Sequence, residues 1–175
     1  IVPKILLDKL ESLDVPFFLR SVIKSFLVDR QQFVRIAEQK SGILHCNIGC
    51  PQGCVLSPIL FSIYTDFIRS THPNVKIFKY ADDMAIVGLL SFKDPDTSFP
   101  FFDAVQTFVD QCASVNLLIN ASKTKEMVVN FSRTYAIYDY NFIRGNPIER
   151  VSSFKYLGTF FDNNLKWQSN TDYIY

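Results

Sequence analysis

Apolar residues recur at helical spacing in four segments of the chain. Positions three and four apart fall on one face of an α-helix, so each segment predicts an amphipathic helix. Pro16 separates the first two segments, and Pro58 falls near the first turn of the third, where its missing N–H is tolerated. The four stripes are Ile5, Leu6, Leu10 and Leu13; Phe18, Val22 and Phe26; Val55, Ile59, Ile63 and Phe67, with Leu56, Leu60 and Tyr64 beside them; and Phe101, Val105, Phe108 and Cys112.

Strand-like runs, rich in β-branched and aromatic residues, lie between and after these helices. The predicted features are a hairpin over residues 31–49 with its turn at Lys40, Ser41 and Gly42; a hairpin over 74–90 with Ala81, Asp82 and Asp83 at its tip; a loop at 93–98; a strand at 126–131; and short strands over 136–143 and 152–161, followed by a turn at 162–164. This order predicts an α+β domain with an antiparallel sheet and helices packed on one face.

Composition is that of a globular domain. The 175 residues are 48% hydrophobic and carry a net charge of +1, and this length suits one domain with a substantial core. The longest apolar run, Met84–Leu90, is far shorter than the ~18 residues that suggest a membrane span. No signal-peptide pattern opens the sequence. We therefore expect an intracellular protein of the nucleus and/or cytoplasm, neither secreted nor membrane-bound, and the first residue, Ile1, suggests a piece of a longer polypeptide.

Three of the four cysteines, Cys46, Cys50 and Cys54, recur every four residues. Glycine and proline residues between them break any helix that would align the thiols, and the spacing matches no zinc signature. A cysteine-based metal or redox protein is therefore the least favoured class. Reduced, buried or incidental thiols are expected instead.

Asp82 and Asp83 stand side by side within an apolar run. Two adjacent carboxylates in low-dielectric surroundings resist ionising together unless a cation or hydrogen bonds offset their charge. The pair is therefore a candidate cation site. A solvated hairpin turn is the alternative, because Asp is common in turns.

Two further segments carry complementary chemistry. Glycines on either side of Pro51 and Gln52, ahead of the third helix, let the backbone approach a ligand near a helix N-terminus. Lys123 and Lys125 follow a loop and precede a strand. Taken alone, the glycine-containing segment also fits an ordinary loop-to-helix junction. Taken alone, the two lysines also fit solvated surface side chains. Together with the carboxylates they suit phosphoryl transfer, in which cations offset charge on phosphate oxygens.

Four motifs occur in order along the chain: GCPQGCVLSPILFSIYTD, YADD, LLINASKTKEM and FKYLGTFFDNNLKW. Together they resemble the palm motifs of reverse transcriptases, in particular those of non-LTR (LINE-type, jockey-like) retrotransposons. The resemblance covers about residues 1–167. It implies a palm-like antiparallel sheet in an incomplete right-hand polymerase, and two-metal transfer of a nucleotide from a dNTP to a primer 3′-hydroxyl on an RNA template.

The resemblance also implies roles for individual residues. Asp82 and Asp83 match the catalytic, metal-binding aspartates, and the first is the more certain ligand. The motif containing Lys123 and Lys125 supplies a lysine that assists the leaving pyrophosphate, and the sequence leaves open which one acts. The other matches are Tyr80 and Ala81 beside the primer end and incoming nucleotide; Pro51, Gln52 and Gly53 in the loop against nucleotide and template; and Phe154, Lys155, Tyr156, Leu157 and Gly158 in the primer grip.

The implied layout is a single partial reverse transcriptase domain, with palm over about residues 1–148 and the palm–thumb junction over about 149–175. The fingers, most of the thumb and the motif that supplies a third metal-binding aspartate are expected outside these residues. The implied cofactor is Mg²⁺, two ions in the intact enzyme, with Mn²⁺ as an alternative. The implied partners are an RNA template, a DNA primer, dNTPs and the rest of a retrotransposon polyprotein, with an endonuclease segment left open.

Two interpretations of function follow. In the first, the chain is a fragment of an active polymerase and is inactive or nearly so by itself, because it lacks the third carboxylate. In the alternative, it is a catalytically inactive retrotransposon relic that keeps the palm fold and at most weak nucleic-acid binding.

Overall fold

A computed structural model of the chain describes residues 1–91, 98–131 and 139–174. The chain divides into two compact units. Unit 1 comprises Ile1–Ser70, Lys76–Val87 and Gln111–Leu117, and unit 2 comprises Thr71–Val75, Gly88–Asp110 and Leu118–Tyr175. Most of the loop predicted at 93–98, and the start of the strand predicted at 136–143, lie outside the described residues.

Unit 1 is built on three helices and three strand pairs. Helix α1 begins at a proline, whose fixed φ suits the first helical position. The elements are α1 (Pro3–Ser12), α2 (Phe17–Leu27), β1 (Arg30–Gln32), β2 (Arg35–Ile36), β3 (Gln39–Lys40), β4 (Leu44–Cys46), α3 (Leu56–Tyr64), β5 (Val75–Tyr80) and β6 (Asp83–Gly88), of which Val75 and Gly88 belong to unit 2.

The three helices of unit 1 enclose one apolar core. Leu6 and Leu10 come from α1, Leu27 from α2, and Leu60 and Tyr64 from α3, and each side chain is at most 2% exposed. Burying a leucine side chain contributes about 1.5–3 kcal/mol. These five residues therefore hold the helices of unit 1 together.

Tyr64 adds polar contacts to this core. Its hydroxyl donates to the Val115 carbonyl oxygen at 2.5 Å and accepts from the Val2 backbone N–H at 3.3 Å. Burial raises the pKa of Tyr64, so the phenol stays neutral and able to donate. A buried hydroxyl without such partners costs about 1–3 kcal/mol. Tyr64 thus ties α3 to the chain segments around Val2 and Val115.

Helices α1–α3 and a fourth helix over Ser98–Ser114 form where the sequence predicts them, whereas the short helix over Gln168–Ile174 is not predicted. The predicted face of α2 is only partly right. Phe18 and Val22 are 74% and 47% exposed, whereas Leu27 is fully buried. Ile23 and Phe26 pack partly against the core. Apolar residues occur on more than one side of α2, so periodicity alone does not identify the side that packs.

The same error affects α3. Val55 and Ile59, placed on the predicted stripe, are 86% and 52% exposed. The residues beside that stripe, Leu60 and Tyr64, form the buried face. A helix that is apolar on most sides gives little directional signal, and only the packing against α1 and α2 selects the face.

The first hairpin is confirmed, but its turn lies elsewhere. Strands β1 and β4 pair antiparallel, and inside them β2 pairs with β3 around Ala37 and Glu38. The predicted turn at Lys40, Ser41 and Gly42 is wrong because Ser41 is bonded across the hairpin. Its backbone N–H donates to the Val34 carbonyl at 2.9 Å, and its hydroxyl accepts from the Val34 N–H at 2.9 Å.

Unit 2 contains most of α4 and the strands of the last third. Its core consists of Val109, Ile143 and Ile148, with Phe108 and Ile119 packed against them. The elements are α4 (Ser98–Ser114, ending in unit 1), β7 (Lys125–Glu126), β8 (Phe142–Ile143), β9 (Asn146–Pro147), β10 (Glu149–Arg150), β11 (Ser153–Tyr156), β12 (Thr159–Asp162) and α5 (Gln168–Ile174).

A polar network joins the strands of unit 2. The Glu126 carboxylate accepts from the Arg150 guanidinium at 2.8 Å and from the Asn141 amide. Arg150 also donates to the Asp139 carbonyl at 2.9 Å and lies 4.5 Å from the Tyr140 ring centroid. Glu126 is only 12% exposed, so these partners offset the cost of burying its charge.

The strand predicted over residues 126–131 is shorter and shifted in the structure. Strand β7 covers Lys125 and Glu126, and residues 127–131 form no strand. Its partner β10 is also two residues long and parallel to it. The Val151 N–H, one residue after β10, donates to the Glu126 carbonyl at 2.8 Å.

The α+β class is confirmed. Among the described residues the strands form six separate two-stranded sheets: four are antiparallel, β7 with β10 is parallel, and the sixth is the β5–β6 hairpin. The palm-like arrangement of one sheet stays a prediction. Across the described ranges, no helix is both long and apolar enough to cross a membrane.

The core of unit 1 gives a matched pair of neighbouring substitutions. Leu60→Ala is expected to lower the free energy of unfolding by about 2–5 kcal/mol, because it opens a cavity between three helices. Ile59→Ala, one residue away and 52% exposed, is expected to change it by no more than about 0.5 kcal/mol. Urea unfolding of the full chain measures both, and equal losses would contradict the assigned buried face.

Gly88 gives a second test, in unit 2. A Cβ at this position lies 2.3 Å from Phe101 Cδ2, so Gly88→Ala forces a ring or the backbone to shift. Such overpacking costs about 1–3 kcal/mol. Gly42→Ala is the control because no heavy atom lies within 4 Å of its added Cβ. Thermal unfolding is expected to show a lower Tm only for Gly88→Ala, and an unchanged Tm there would refute the close contact.

Candidate functional site

The two aspartates lie at the tip of the second hairpin, as predicted. Strands β5 and β6 pair around Ala81 and Asp82, and Asp83 is the first residue of β6. Ala81 has φ 51°, a left-handed conformation that a two-residue hairpin turn requires. Tyr80, at the end of β5, is 65% exposed. The turn therefore presents Tyr80, Ala81 and both carboxylates as one continuous segment.

The surroundings of the pair differ from the low-dielectric environment that the apolar run suggested. Asp82 and Asp83 are both exposed. Among the salt bridges of the described residues, none includes either carboxylate. Water therefore solvates the two charges, and both carboxylates remain available to a ligand.

A lysine fixes the hairpin to α3. The Lys79 ammonium donates to the carbonyl oxygen of Thr65, just after the C-terminal end of the helix, at 2.8 Å. Helix carbonyls at this end lack intrahelical partners and favour a cation. Desolvation lowers the pKa of Lys79, and the nearby Asp66 opposes that effect.

The glycine-containing loop lies at the other end of α3. Gln52 and Gly53 are exposed, and Gly53 has φ 76°, which favours glycine. The Ser57 hydroxyl, in the first turn of the helix, donates to the Pro51 carbonyl at 2.5 Å. The two predicted site segments of unit 1 are thus attached at opposite ends of α3, about 13 Å apart along its axis.

The two lysines of unit 2 have different environments. Lys125, in β7, forms an ion pair with Glu149 opposite it in β10 and donates to the Ser122 carbonyl at 3.1 Å. Lys123 lies in the turn before β7 and is exposed. Its backbone N–H donates to the Asn120 carbonyl at 3.1 Å, and no salt bridge within the described residues includes its ammonium.

The segment Phe154–Gly158 forms a hairpin, as predicted. Strand β11 pairs antiparallel with β12 around Leu157 and Gly158, which have φ of 48° and 86°. Positive φ at both central residues is the turn geometry that matches strand twist. Phe154 lies opposite Phe161, and Lys155 opposite Phe160.

Helix α5 braces this hairpin. The buried Asp162 carboxylate accepts from the Ser169 hydroxyl at 2.5 Å and from the Ser169 N–H at 3.2 Å. These hydrogen bonds lower the pKa of Asp162. The Lys155 ammonium lies 3.9 Å from the Tyr173 ring centroid, and its hydrogen bond lowers the pKa of the Tyr173 phenol. The hairpin and α5 therefore form one supported piece of structure.

Residues 1–161 match the family described as reverse transcriptase (RNA-dependent DNA polymerase). The match covers most of the 175 residues and includes the Asp82–Asp83 turn and both lysines. The chain belongs to the reverse transcriptase family.

Individual reverse transcriptases of mobile elements are similar over most of the chain. The RNA-directed DNA polymerase from mobile element jockey of Drosophila melanogaster is 31% identical over 153 residues, covering 82% of this chain and 16% of that protein. The jockey polymerase of Drosophila funebris is 30% identical over 174 residues, covering 93% and 18%. A probable RNA-directed DNA polymerase from transposon X-element of Drosophila melanogaster is 26% identical over 166 residues, covering 91% and 18%. The chain thus spans less than a fifth of the length of these relatives.

The resemblance to jockey-like, non-LTR reverse transcriptases is therefore confirmed. Reverse transcriptases generally use divalent metal ions, and the oxygen donors of Asp82 and Asp83 suit such ions. In the described ranges no group of three His, Cys, Asp or Glu side chains is placed to hold a metal. The oxygen donors of the turn thus suit a divalent metal ion, but two carboxylates are too few to surround the ion by themselves.

The sequence missed the contacts that hold these reverse transcriptase motifs in place. Lys79, next to the predicted Tyr80, binds the backbone carbonyl of Thr65, an atom that every residue carries. Glu149, the partner of Lys125, lies outside the four motifs, and its only signal is a charge of opposite sign 24 positions away. That signal acquires meaning only when the strand and helix pairings are known.

Proposed function

We propose that this chain forms part of the polymerase site of an RNA-directed DNA polymerase. In the proposed reaction a primer 3′-hydroxyl attacks the α-phosphate of a deoxynucleotide paired with an RNA template, and pyrophosphate leaves. The observation that carries this proposal is the exposed Asp82–Asp83 turn in a chain of the reverse transcriptase family. The jockey relatives, named as RNA-directed DNA polymerases, support the same activity.

In this proposal Asp82 and Asp83 hold divalent metal, with Mg²⁺ as the first candidate and Mn²⁺ as the second. When bound, the cation supplies positive charge to the phosphate oxygens of the nucleotide. The exposure of both carboxylates and the absence of a competing salt bridge in the described ranges support this role. Mg²⁺ usually keeps several waters and is bound by one or two carboxylates together with substrate phosphates.

The remaining residues position the nucleic acid and the nucleotide. Tyr80 and Ala81 lie beside the carboxylates in the same turn, so they are assigned to the primer end and the incoming base. Pro51, Gln52 and Gly53 form an exposed or half-exposed loop before α3 and are assigned to the nucleotide and template. The braced hairpin Phe154, Lys155, Tyr156, Leu157 and Gly158 is assigned to the primer grip.

The lysine that assists the leaving pyrophosphate is assigned to Lys123. A proton donor needs an ammonium that can approach the phosphate, and Lys123 is exposed in a turn. Lys125 is instead 23% exposed and is bound to Glu149 and the Ser122 carbonyl. This difference supports Lys123 as the reactive lysine and Lys125 as a structural one.

Two carboxylates are fewer than the three that the two-metal site of this family uses. We therefore expect residues 1–175 by themselves to show little or no primer extension. The primer-extension tests below therefore use a full-length polymerase that carries these residues. Robust extension by the isolated chain would show that a third carboxylate is not needed.

Asp82→Asn tests the metal role. The amide keeps the size of the side chain but removes its charge, so primer extension is expected to fall at least about 100-fold, equivalent to several kcal/mol of lost transition-state stabilisation. The control is Asp14→Asn, an exposed aspartate with φ 54° that Asn also tolerates.

A second readout separates metal binding from catalysis. In the isolated chain, Mn²⁺ is expected to broaden NMR signals of residues 80–84, and Asp82→Asn is expected to weaken this broadening. Retained extension, or Mn²⁺ broadening that Asp82→Asn leaves unchanged, would refute the assignment of Asp82 as a ligand.

Lys123→Ala and Lys125→Ala test the assignment of the lysine. Loss of a general acid lowers kcat by about 10²–10⁴-fold, and this loss is expected for Lys123→Ala, together with loss of the basic limb of the pH–rate profile. Lys125→Ala is expected to lower the Tm while keeping that limb. If Lys125→Ala instead abolishes the basic limb and Lys123→Ala keeps it, the roles are reversed.

A further inference from the structure

One side chain of the hairpin formed by β5 and β6 binds the end of α3. The Lys79 ammonium donates to the backbone carbonyl oxygen of Thr65 at 2.8 Å, across 14 positions of the chain. Lys79 lies in β5, directly before Tyr80 and three positions before Asp82. This hydrogen bond therefore joins the segment that carries the two carboxylates to α3.

Thr65 has a fixed place in unit 1. It directly follows α3 and is only 2% exposed. Its N–H and its hydroxyl both donate to the Phe61 carbonyl oxygen, each at 3.0 Å. Its neighbour Tyr64 belongs to the apolar core. The carbonyl oxygen that Lys79 binds is therefore held in place with α3.

The apolar core of unit 1 does not hold the hairpin. In the described part of the chain, no residue of β5 or β6 is among the apolar side chains that form that core or pack against it. Ile77 and Met84, on the two strands, are only partly buried. With no side chain in the core, the hairpin relies on contacts such as the Lys79 hydrogen bond for its position relative to α3.

The atoms around the Lys79 ammonium keep partners without it. The Thr65 carbonyl oxygen also accepts from the Ile68 N–H at 3.1 Å. The neighbouring Asp66 carboxylate is paired with Arg69 at 2.8 Å and with Lys9 at 3.6 Å. Because loss of the ammonium leaves neither oxygen group unpaired, it is expected to change the position of the hairpin more than the stability of the fold.

The contact favours a cation. Carbonyl oxygens at the C-terminal end of a helix carry partial negative charge and lack intrahelical partners. A charged donor forms a stronger hydrogen bond with such an oxygen than a neutral donor does. Methionine has a similar length but cannot donate, whereas arginine keeps both the charge and the donor. These two replacements separate the hydrogen bond from the bulk of the side chain.

We propose that Lys79 is a positioning residue for the polymerase site: its ammonium holds the Asp82–Asp83 turn in place on the C-terminal end of α3. Because the Pro51–Gly53 loop leads into the other end of α3, the same contact sets the distance between the carboxylates and the loop. Lys79 acts through the turn, since its ammonium is bound to a protein carbonyl. This inference rests on the proposed function, in which the turn holds a divalent metal ion.

Primer extension by the full-length polymerase tests this role. Lys79→Met is expected to lower kcat about 10–100-fold, because a small displacement of reacting groups costs that much. The Mg²⁺ concentration that gives half-maximal extension is expected to rise several-fold, since the carboxylates are less well placed. Lys79→Arg is expected to restore most of kcat and the original Mg²⁺ dependence.

Lys76→Met is the matched control. Lys76 lies on the same strand and is exposed, and no salt bridge within the described ranges includes it. Its replacement removes the same charge from β5 without touching α3. Its kcat, Mg²⁺ dependence and Tm are expected to match those of the unchanged polymerase.

NMR of the 175-residue chain reports the position of the turn without any polymerase assay. Mn²⁺ at the turn is expected to broaden signals of residues 80–84 and, more weakly, those of Thr65 and Ile68. In Lys79→Met the broadening of residues 80–84 is expected to persist while that of Thr65 and Ile68 weakens, because paramagnetic broadening falls steeply with distance. Asp82→Asn is expected to weaken both, which excludes a separate Mn²⁺ site at Asp66.

Three results would overturn the positioning role. These are a Lys79→Met variant that matches the unchanged protein in kcat, Mg²⁺ dependence and broadening; a Lys79→Arg variant as impaired as Lys79→Met; and a loss of activity that only follows a lowered Tm. If Asp82→Asn abolishes extension while Lys79→Met has no effect, the positioning role alone is refuted. Extension that survives Asp82→Asn refutes the proposed function itself.

Discussion

The burial of Leu60 and Tyr64 fixes the position of α3, and most of unit 1 depends on that position. These two side chains pack against Leu6, Leu10 and Leu27 from the first two helices. The loop at Pro51–Gly53 enters the N-terminal end of α3, and Lys79 of the acidic hairpin binds the carbonyl of Thr65 just after its C-terminal end. An apolar contact thus places both candidate site segments of the unit.

The two aspartates of the acidic turn are not buried in this core. Two like charges in an apolar environment would destabilise the fold by several kcal/mol. Asp82 and Asp83 avoid that cost because both are exposed to water at a hairpin tip. Their charge therefore contributes little to stability, and the strands on either side carry the apolar residues. Within this hairpin the apolar residues lie in the strands, and the two carboxylates lie apart from them at the exposed tip.

Local pattern predicted helices α1–α4 and the strand pairs around Ala81 and Leu157, but not the short helix α5. The roles of the candidate site residues stay predictions. Local pattern failed where contacts between residues distant in the sequence determine which side chains are buried and where a turn lies. Helix α3 is apolar on most sides, so nothing in its own sequence distinguishes Leu60 from Ile59. The turn of the first hairpin depends on the bond between Ser41 and Val34, seven residues apart, and not on the glycine that marked the expected turn. Lys79 binds a backbone carbonyl at the end of α3, and Lys125 binds Glu149 outside the four motifs, so no side-chain pattern identifies either contact.

The register of one short strand pair gives two neighbouring lysines different surroundings. Because β7 and β10 run parallel, Lys125 lies opposite Glu149 and Glu126 opposite Arg150. Two ion pairs therefore join the strands, Lys125 with Glu149 and Glu126 with Arg150. The Asn141 amide also donates to the Glu126 carboxylate. In that register Lys125 contacts both the Glu149 carboxylate and the Ser122 carbonyl. Lys123, two positions earlier, lies in the turn before β7, outside the pairing. The strand register therefore gives Lys125 fixed partners, whereas Lys123 is exposed in the turn, which is the difference behind our proposal that Lys123 meets the phosphate.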